Sequence, residues 1–454
     1  MCDDLLQVRG VLESLPDVGG AEVFRIRQGP GTAIAALVRG RHPVGPAIPG
    51  ADVPAVRYTG PDTAPAIAAI DRAAVLAMAQ TLRRAGLFAA GMSHDGGEVA
   101  DALRASVRHR WIVHRWLVAL TDHRLLECDP EAGGYRRLAQ VSRAELSVSM
   151  GELDKARQDL GYPAAMGRFF QTTLRCLPAL VSDERTVQSV LFADGRTDTA
   201  DANYRYNLIS RHLNAVAAAA AADAVRRAPA HRRPRILEVG AGVGATTAGV
   251  LSEVGPADYL FTDVSAFFLD AARHRFAGHD GLRYALLDVN APVPAAVAMG
   301  PRHDVVLAAN VLHNSRHTTR TLAMLRELLS HDGTLVIIES CREHAVLSTG
   351  MHFLMSAPPD DPAPGFADMR ADQDRIFPTA AEWTRALHAA GFAHIAAYPG
   401  PLHALAPAGQ YVFTARPRDP SPPRPDPHAV RTAAAALLPA RLVPIEVHAV
   451  DAVA

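Results

Sequence analysis

Residues 235–263 constrain the fold of this chain more than any other stretch. An apolar run, Ile236-Leu237, leads into Glu238-Val239-Gly240-Ala241-Gly242-Val243-Gly244, and a helix-compatible segment follows. A second short strand, Tyr259-Leu260-Phe261, ends at Asp263. Strand, glycine turn, helix, strand and acid together read as a nucleotide-binding βαβ unit. The glycines let the backbone approach a ligand closely, and an acid about 20 residues past the turn can accept hydrogen bonds from ribose hydroxyls.

Two nucleotides compete for this unit. Gly240-x-Gly242-x-x-Ala245 fits the dinucleotide fingerprint, whose third glycine can be alanine. Three features favour S-adenosylmethionine (SAM) instead. Glu238 stands two residues before the first glycine, where a carboxylate can reach the methionine ammonium. Gly240, Gly242 and Gly244 follow it in an E-x-G-x-G-x-G order. The first helix turn, Ala245-Thr246-Thr247, carries no base for a pyrophosphate.

A chain of 454 residues implies two or three domains. Its formal net charge of -1 argues against a nucleic-acid or membrane-surface partner. The four cysteines, Cys2, Cys128, Cys176 and Cys341, form no C-x-x-C pair and fit a reduced, cytoplasmic setting. Met1-Cys2-Asp3-Asp4 does not read as the start of a signal peptide, and no run of 18 apolar residues suggests a membrane span.

The N-terminal part reads as a helix over Leu5–Leu15 and strands over Ala21–Ile26 and Ala33–Val38, with Gln28-Gly29-Pro30-Gly31 as their turn. Arg41–Gly60 reads as a linker. Ala66–Ala85 and His109–Thr121 read as helices, and Asp129-Pro130-Glu131-Ala132-Gly133 as a hairpin turn, the outline of a winged helix. The region is not distinctly basic, so a lid or homodimer role is expected rather than DNA binding. Further helices are expected over Arg143–Asp159, Met166–Leu177 and Tyr204–Ala228. From Arg235 strands at 235–239, 258–262, 282–287, 304–309 and 334–338 alternate with helices, the pattern of a doubly wound sheet. Asp332-Gly333 reads as the turn before the last of these. Helix Thr379–Ala390, strands near His394–Tyr398 and Gln410–Thr414, a proline-rich linker over Pro417–Pro427, helix Ala429–Leu438 and strand Ile445–Val450 complete the pattern.

The quoted residues resemble the methyltransferase domains embedded in polyketide and nonribosomal peptide synthetases. Leu237 to Thr247 is similar to their SAM loop, Phe261-Thr262-Asp263-Val264-Ser265 to their ribose-binding strand end, and Ala308-Ala309-Asn310-Val311-Leu312-His313 to their fourth-strand motif. Leu191-Phe192 with Gly195, and Tyr204 with Asn214, resemble the helices before the core. A second resemblance joins the ends. Val11-Leu12 with Leu15-Pro16-Asp17-Val18, and Leu438-Pro439-Ala440-Arg441-Leu442-Val443-Pro444, look like parts of an adenylation domain's small C-terminal subdomain, into which some siderophore-type synthetases insert a methyltransferase. The large adenylation subdomain and its catalytic lysine have no counterpart, and Lys155 is the only lysine in the chain. The resemblance implies an α/β class I SAM methyltransferase: an adenylation-like flank over 1–45, a helical, winged-helix-like region over 61–180, the core over 181–416 and a second flank over 428–454. It also implies that strand 445–450 pairs with the strands of residues 21–38.

Methyl transfer from SAM is an in-line displacement at an already activated carbon, so the protein must orient the acceptor and, for a carbon acid, remove a proton. His313 follows the fourth strand at the carboxyl edge of the sheet, where ligands bind in open α/β folds. Glu339 ends the fifth strand on the same edge. A carboxylate holding one imidazole nitrogen would leave the other facing substrate, a dyad like that of carbon-methylating polyketide synthase domains. Asp288 is expected at the adenine, Asn310 at SAM or capping its loop, and Val264 and Val289, each following an acid, with the cofactor set. Tyr204, Tyr206 and His352 are candidates for acceptor contact, Met351–Met355 reading either as a pocket wall or as a core helix. His317, His331 and His344 read as solvent-facing. No metal-binding spacing stands out.

The resemblance implies a methyltransferase of natural-product biosynthesis that methylates a carbon of an acyl or thiazoline-like intermediate, free or on a carrier protein. Nitrogen or oxygen methylation, a docking module without catalysis, and an NAD(P)-dependent reductase are the competing readings.

Overall fold

A computed structural model describes residues 2–15, 18–28, 31–40, 56–89, 91–129, 133–191, 198–357, 365–418 and 426–449. Gly29-Pro30, most of the 41–60 linker, residues 130–132 of the hairpin turn, Phe192, Gly195, Pro16-Asp17 and residues 419–425 lie outside them. The chain divides into two compact units: Met1–Pro46 with Gly391–Ile395 and Ala415–Ala454, and Ala47–Ala390 with Ala396–Thr414.

In the first unit, helix Cys2–Ser14 packs on an antiparallel pair, β1 (Val18–Gln28) and β2 (Gly31–Gly40). A strand from the other end of the chain, β13 (Glu446–Ala449), adds in parallel to β2, with Val447 opposite Ala36. The pairing expected between the two ends is therefore present. Val8, Leu12, Val18, Ala36 and Val38 meet Val430, Ala434, Leu442 and Val447 in one core.

The second unit begins with helices. Ala64–Arg84 carries Pro65 in its first turn, and Gly86 follows its end at φ +79°, the left-handed region a glycine enters without strain. A short helix not expected from the sequence, Gly96–Ala102, starts in a capping box between Asp95 and Glu98. Helix Arg110–Asp122 leads to the hairpin of β4 (Glu127–Asp129) and β5 (Gly134–Arg136), and β3 (Ser93–His94) makes it three-stranded. Helices Arg143–Asp159 and Ala164–Arg175 follow as expected. The single helix expected over Tyr204–Ala228 is instead a wide turn, Ala202–Tyr206, and a helix, Leu208–Arg227. Buried Asn207 separates them: its Oδ1 accepts from Ser210 N at 2.8 Å and its Nδ2 donates to the Ala202 carbonyl at 3.2 Å.

The central sheet has seven strands in the order β11-β12-β10-β9-β6-β7-β8. They are β6 (Arg235–Val239), β7 (Asp258–Asp263), β8 (Leu282–Leu286), β9 (His303–Ala309), β10 (Leu329–Ser340), β11 (Phe392–Tyr398) and β12 (Gln410–Pro417). The five strands β6 to β10 run parallel. Ile236, Leu237, Val305, Val306, Leu307 and Ala308 are fully buried, as unbroken apolar runs are when helices cover both faces. The chain fills the sheet outward from β6 to β8, then returns to the other side of β6 with β9. That reversal opens a crevice at the carboxyl ends of β6 and β9, where open α/β sheets bind ligands. The fifth strand is longer than expected. Asp332-Gly333 is an irregularity within β10, where the register to β9 shifts between Leu329 and Thr334, and not a turn before it.

Candidate active site

The glycine turn after β6 bounds a cavity of about 740 Å³, within the range that holds a nucleotide-sized ligand. Gly240, Gly242 and Gly244 all have positive φ. A Cβ on Gly240 would lie 2.3 Å from Val311 Cγ2, so this turn and the loop after β9 close on each other only through glycine. A Cβ on Gly242 would meet nothing closer than 4.0 Å; there the backbone conformation, not space, demands glycine.

Asp263, at the end of β7, lines the cavity and shapes it. Its Oδ2 accepts from Gly242 N at 2.9 Å and its Oδ1 from Ser265 N at 2.8 Å. Burial pushes its carboxyl up, against the pull of those backbone donors. Each oxygen keeps a further lone pair. Val264, Asp288, Val289 and Asn310 also line the cavity. Asp288 is exposed and accepts from Asn290 N at 2.8 Å. Asn290, which the sequence did not single out, lines the same wall and ties it to Asn314 O and Arg316 N.

Glu238 departs from expectation. It lies beneath the glycine turn and outside the cavity lining. Its Oε2 accepts from Thr247 Oγ1 at 2.5 Å and Tyr259 Oη at 2.6 Å, while buried Oε1 has no partner. Burial outweighs both hydrogen bonds and raises its carboxyl to about 7. The hydroxyls of the following helix and the neighbouring strand thus hold one oxygen of the carboxylate expected at the ammonium.

A second, smaller cavity of about 120 Å³ shares Tyr204, Ser210, Asn310 and Gln410 with the first, so the two meet at these residues. Asn310, directly after β9, is held at φ +53° with its N–H on Ile338 O at 2.7 Å. His313 lines this second cavity. Its Nδ1 lies 2.7 Å from Glu339 Oε2, and Glu339 Oε1 accepts from Val311 N at 3.0 Å and Leu312 N at 2.7 Å. Both side chains are buried. An ionised carboxylate only accepts, so it holds the proton of a neutral imidazole on Nδ1, the tautomer that leaves a lone pair on Nε2.

The loop bearing His313 is clamped from below. Buried Arg370 donates to the carbonyls of His313 at 2.6 Å, Ser315 at 2.6 Å and Ile376 at 2.8 Å. Its charge is matched by Asp368, where burial opposes ionisation but Arg370 and Thr318 prevail and hold the carboxyl at about 2. Glu343 Oε1 accepts from Ile376 N and Phe377 N, at 2.7 and 2.9 Å, and the Phe377 ring meets His313 edge-on at 5.0 Å.

Several residues are placed otherwise than expected. His352 lines neither cavity; it is fully buried, with Nε2 2.9 Å from Glu343 Oε2 and Nδ1 3.1 Å from Ser348 Oγ. Met351 and Met355, one turn apart, face the cavity in its place. Tyr206 is exposed and outside both linings, under the Arg205 guanidinium. Tyr204 lines both cavities, and burial pushes its phenol up. His344 does not face solvent: it lines the second cavity, with Nδ1 3.0 Å from Asp71 Oδ2. His331 is exposed, and His317 half-buried. Asp71, Arg370 and Glu343 were missed by the sequence reading; the signal for Asp71 is an acid amid the apolar residues of Ala64–Arg84. Among the described residues no cluster could hold a metal ion, and no helix is long and apolar enough to cross a membrane.

Residues 237–335 match a family model described as a methyltransferase domain. Pyochelin synthetase PchF of Pseudomonas aeruginosa is 31% identical over 337 residues, 72% of this chain and 18% of the synthetase. Polyketide synthase ThaG of Burkholderia thailandensis is 35% identical over 257 residues, 53% of this chain and 4% of that protein. The chain thus spans less than a fifth of the length of either relative. The CurJ carbon methyltransferase has the same fold, with a TM-score of 0.69 at 23% identity, covering 78% of this chain and 92% of that one.

Proposed function

We propose that this chain, which carries a SAM-dependent methyltransferase domain related to those of polyketide and nonribosomal peptide synthetases, methylates a carbon of an acyl or thiazoline-like intermediate held on a carrier protein. The observation that carries the reading is the His313–Glu339 contact of 2.7 Å in the wall of a cavity that meets the glycine-turn cavity at Asn310.

The residues of the first cavity fit SAM. Gly242 leaves open space where a side chain would stand, Asp263 offers lone pairs for ribose hydroxyls, and Asp288 stands at the rim for adenine. Bound there, SAM supplies a methyl group on a sulfonium, a donor that needs no further activation. What remains is the acceptor's proton. Neutral His313 Nε2 takes it from the acceptor carbon, and Glu339 stabilises the imidazolium that results. Tyr204 and Asn310, lining both cavities, align acceptor with donor. The apolar walls of the second cavity exclude water from the carbanion.

The test is mass spectrometry of methyl transfer from labelled SAM onto carrier-tethered β-ketoacyl, thiazolinyl and aminoacyl thioesters. Label at carbon, lost in His313→Ala while SAM still binds, is the expected result; general-base removal should lower turnover about 10²- to 10⁴-fold. Label at nitrogen or oxygen, or unchanged turnover in the variant, would overturn it.

A further inference from the structure

We propose that Arg342 recognises an anionic group at the mouth of the acceptor cavity, so that the acceptor has an apolar reacting part and a negatively charged group outside it. This rests on the methyl-transfer reading of that cavity.

Besides His313, three charged side chains line the cavity: Asp71, His344 and Arg342. Two satisfy each other. Asp71 Oδ2 lies 3.0 Å from His344 Nδ1, and Asp71 Oδ1 accepts from Val346 N at 3.0 Å. His344 Nε2 lies 3.1 Å from the Ala408 carbonyl. Each ring nitrogen of His344 and each carboxylate oxygen of Asp71 thus has a partner within the wall. Arg342 is different. It is exposed and has no ion pair or hydrogen bond among the described residues. An exposed residue that also lines a cavity stands at its opening. The cavity therefore has, at its mouth, a guanidinium with no hydrogen-bond or ion-pair partner among the described residues.

The position of that charge is built into the backbone. Cys341 N donates to Gly409 O at 2.7 Å, and Gly409, at φ +64°, has its Cβ position 2.5 Å from Arg342 Cβ. Only glycine there admits the Arg342 stem. The residue follows Glu339 by three positions, at most ~10 Å along the chain. A guanidinium fork anchored at its stem and unpaired at its head suits a phosphate or carboxylate, which it can engage through two parallel hydrogen bonds. Two sources share that chemistry: the phosphate of a carrier protein's phosphopantetheine arm, and the carboxylate of a free acceptor.

The experiment presents one acyl group in three forms: as the phosphopantetheine thioester, as the pantetheine thioester lacking phosphate, and as the free acid. KM and kcat are measured for the wild type, Arg342→Gln and Arg342→Lys, and phosphopantetheine alone is titrated against each by calorimetry. With the arm as source, wild-type KM for the phosphorylated thioester should be about tenfold lower than for the other thioester. Arg342→Gln should erase that difference, raising KM only where phosphate is present and leaving kcat unchanged, and Arg342→Lys should keep part of it. With a free acceptor as source, only the acid should be used and only its KM should rise. Equal KM changes for all forms, or none, would overturn the proposal. Absence of methylation of every form would count against the methyl-transfer reading, and the titration would then decide Arg342: unchanged phosphopantetheine binding in Arg342→Gln would overturn it.

Discussion

Glu339 presents its two carboxylate oxygens to different partners, one to His313 and one to two backbone N–H groups. An amide in its place cannot serve both. If the amide oxygen keeps the backbone donors, its NH₂ faces Nδ1 and drives the imidazole proton to Nε2, the nitrogen that must accept. Glu339→Gln should therefore lower turnover about 10²- to 10⁴-fold while SAM affinity, read by calorimetry, stays within a few-fold. Glu238 predicts a different pH response. Its carboxyl is raised from the ordinary 4.5 to about 7, so the folded protein holds a proton that the unfolded chain releases. Stability should fall as pH rises from about 4.5 to 7 and then level off, by an amount on the order of 3 kcal/mol for this group. Glu238→Gln, which can keep hydrogen bonds to Thr247 and Tyr259, should lose that slope, and melting curves of both proteins between pH 5 and 8 would reveal it. What the sequence made legible here was position: His313 follows one strand, Glu339 stands at the end of the next, and the glycines stand at fixed offsets. It did not say which way Glu238 turns, because that depends on Tyr259, 21 residues away on the neighbouring strand. Arg370 left no signal at all, since it acts on backbone carbonyls as far as 57 residues distant.

Among the elements, the parallel strands were readable because continuous apolar runs bounded by turn residues have few other homes. The exceptions have local causes. His331-Asp332-Gly333 interrupts the apolar pattern of β10, yet the chain stays extended through a register shift. Gly96–Ala102 is too short for a periodic signal, although Asp95 and Glu98 carry its start in their spacing. The break at Asn207 was hidden because a single polar residue is common within helices. Here the side chain caps the helix that follows and also holds the carbonyls of the turn before it. Asn207→Ala should cost about 1 kcal/mol for the cap and more for the stranded carbonyls. Because the wide turn carries Tyr204 between the two cavities, KM for the acceptor should rise with the loss of stability. Chemical denaturation and steady-state kinetics on the same variant test both.

At the scale of the whole chain, the two ends share one core although more than 400 residues separate β2 from β13. The sequence suggested this only through the adenylation-like resemblance of the ends, because no local pattern announces a partner so remote. Packing makes the arrangement interdependent. Val8, Leu12, Ile34 and Val38 are buried with Val430, Ala434, Leu442 and Val447 beside them, and β13 supplies the backbone partners of β2 over Ala35–Val38. Removing residues 426–454 would uncover that apolar face and leave β2 with an unpaired edge, the arrangement proteins usually avoid. The central sheet draws its core from other residues and keeps its parallel neighbours β6, β7 and β9 in that truncation. Hydrogen exchange resolved by mass spectrometry should therefore show amides of residues 31–40 losing protection by orders of magnitude, while those of β6 and β9 change little. Equal loss in both regions would mean that the chain unfolds as one cooperative unit, and the ends would then belong to the same folding unit as the central sheet rather than to a separate one.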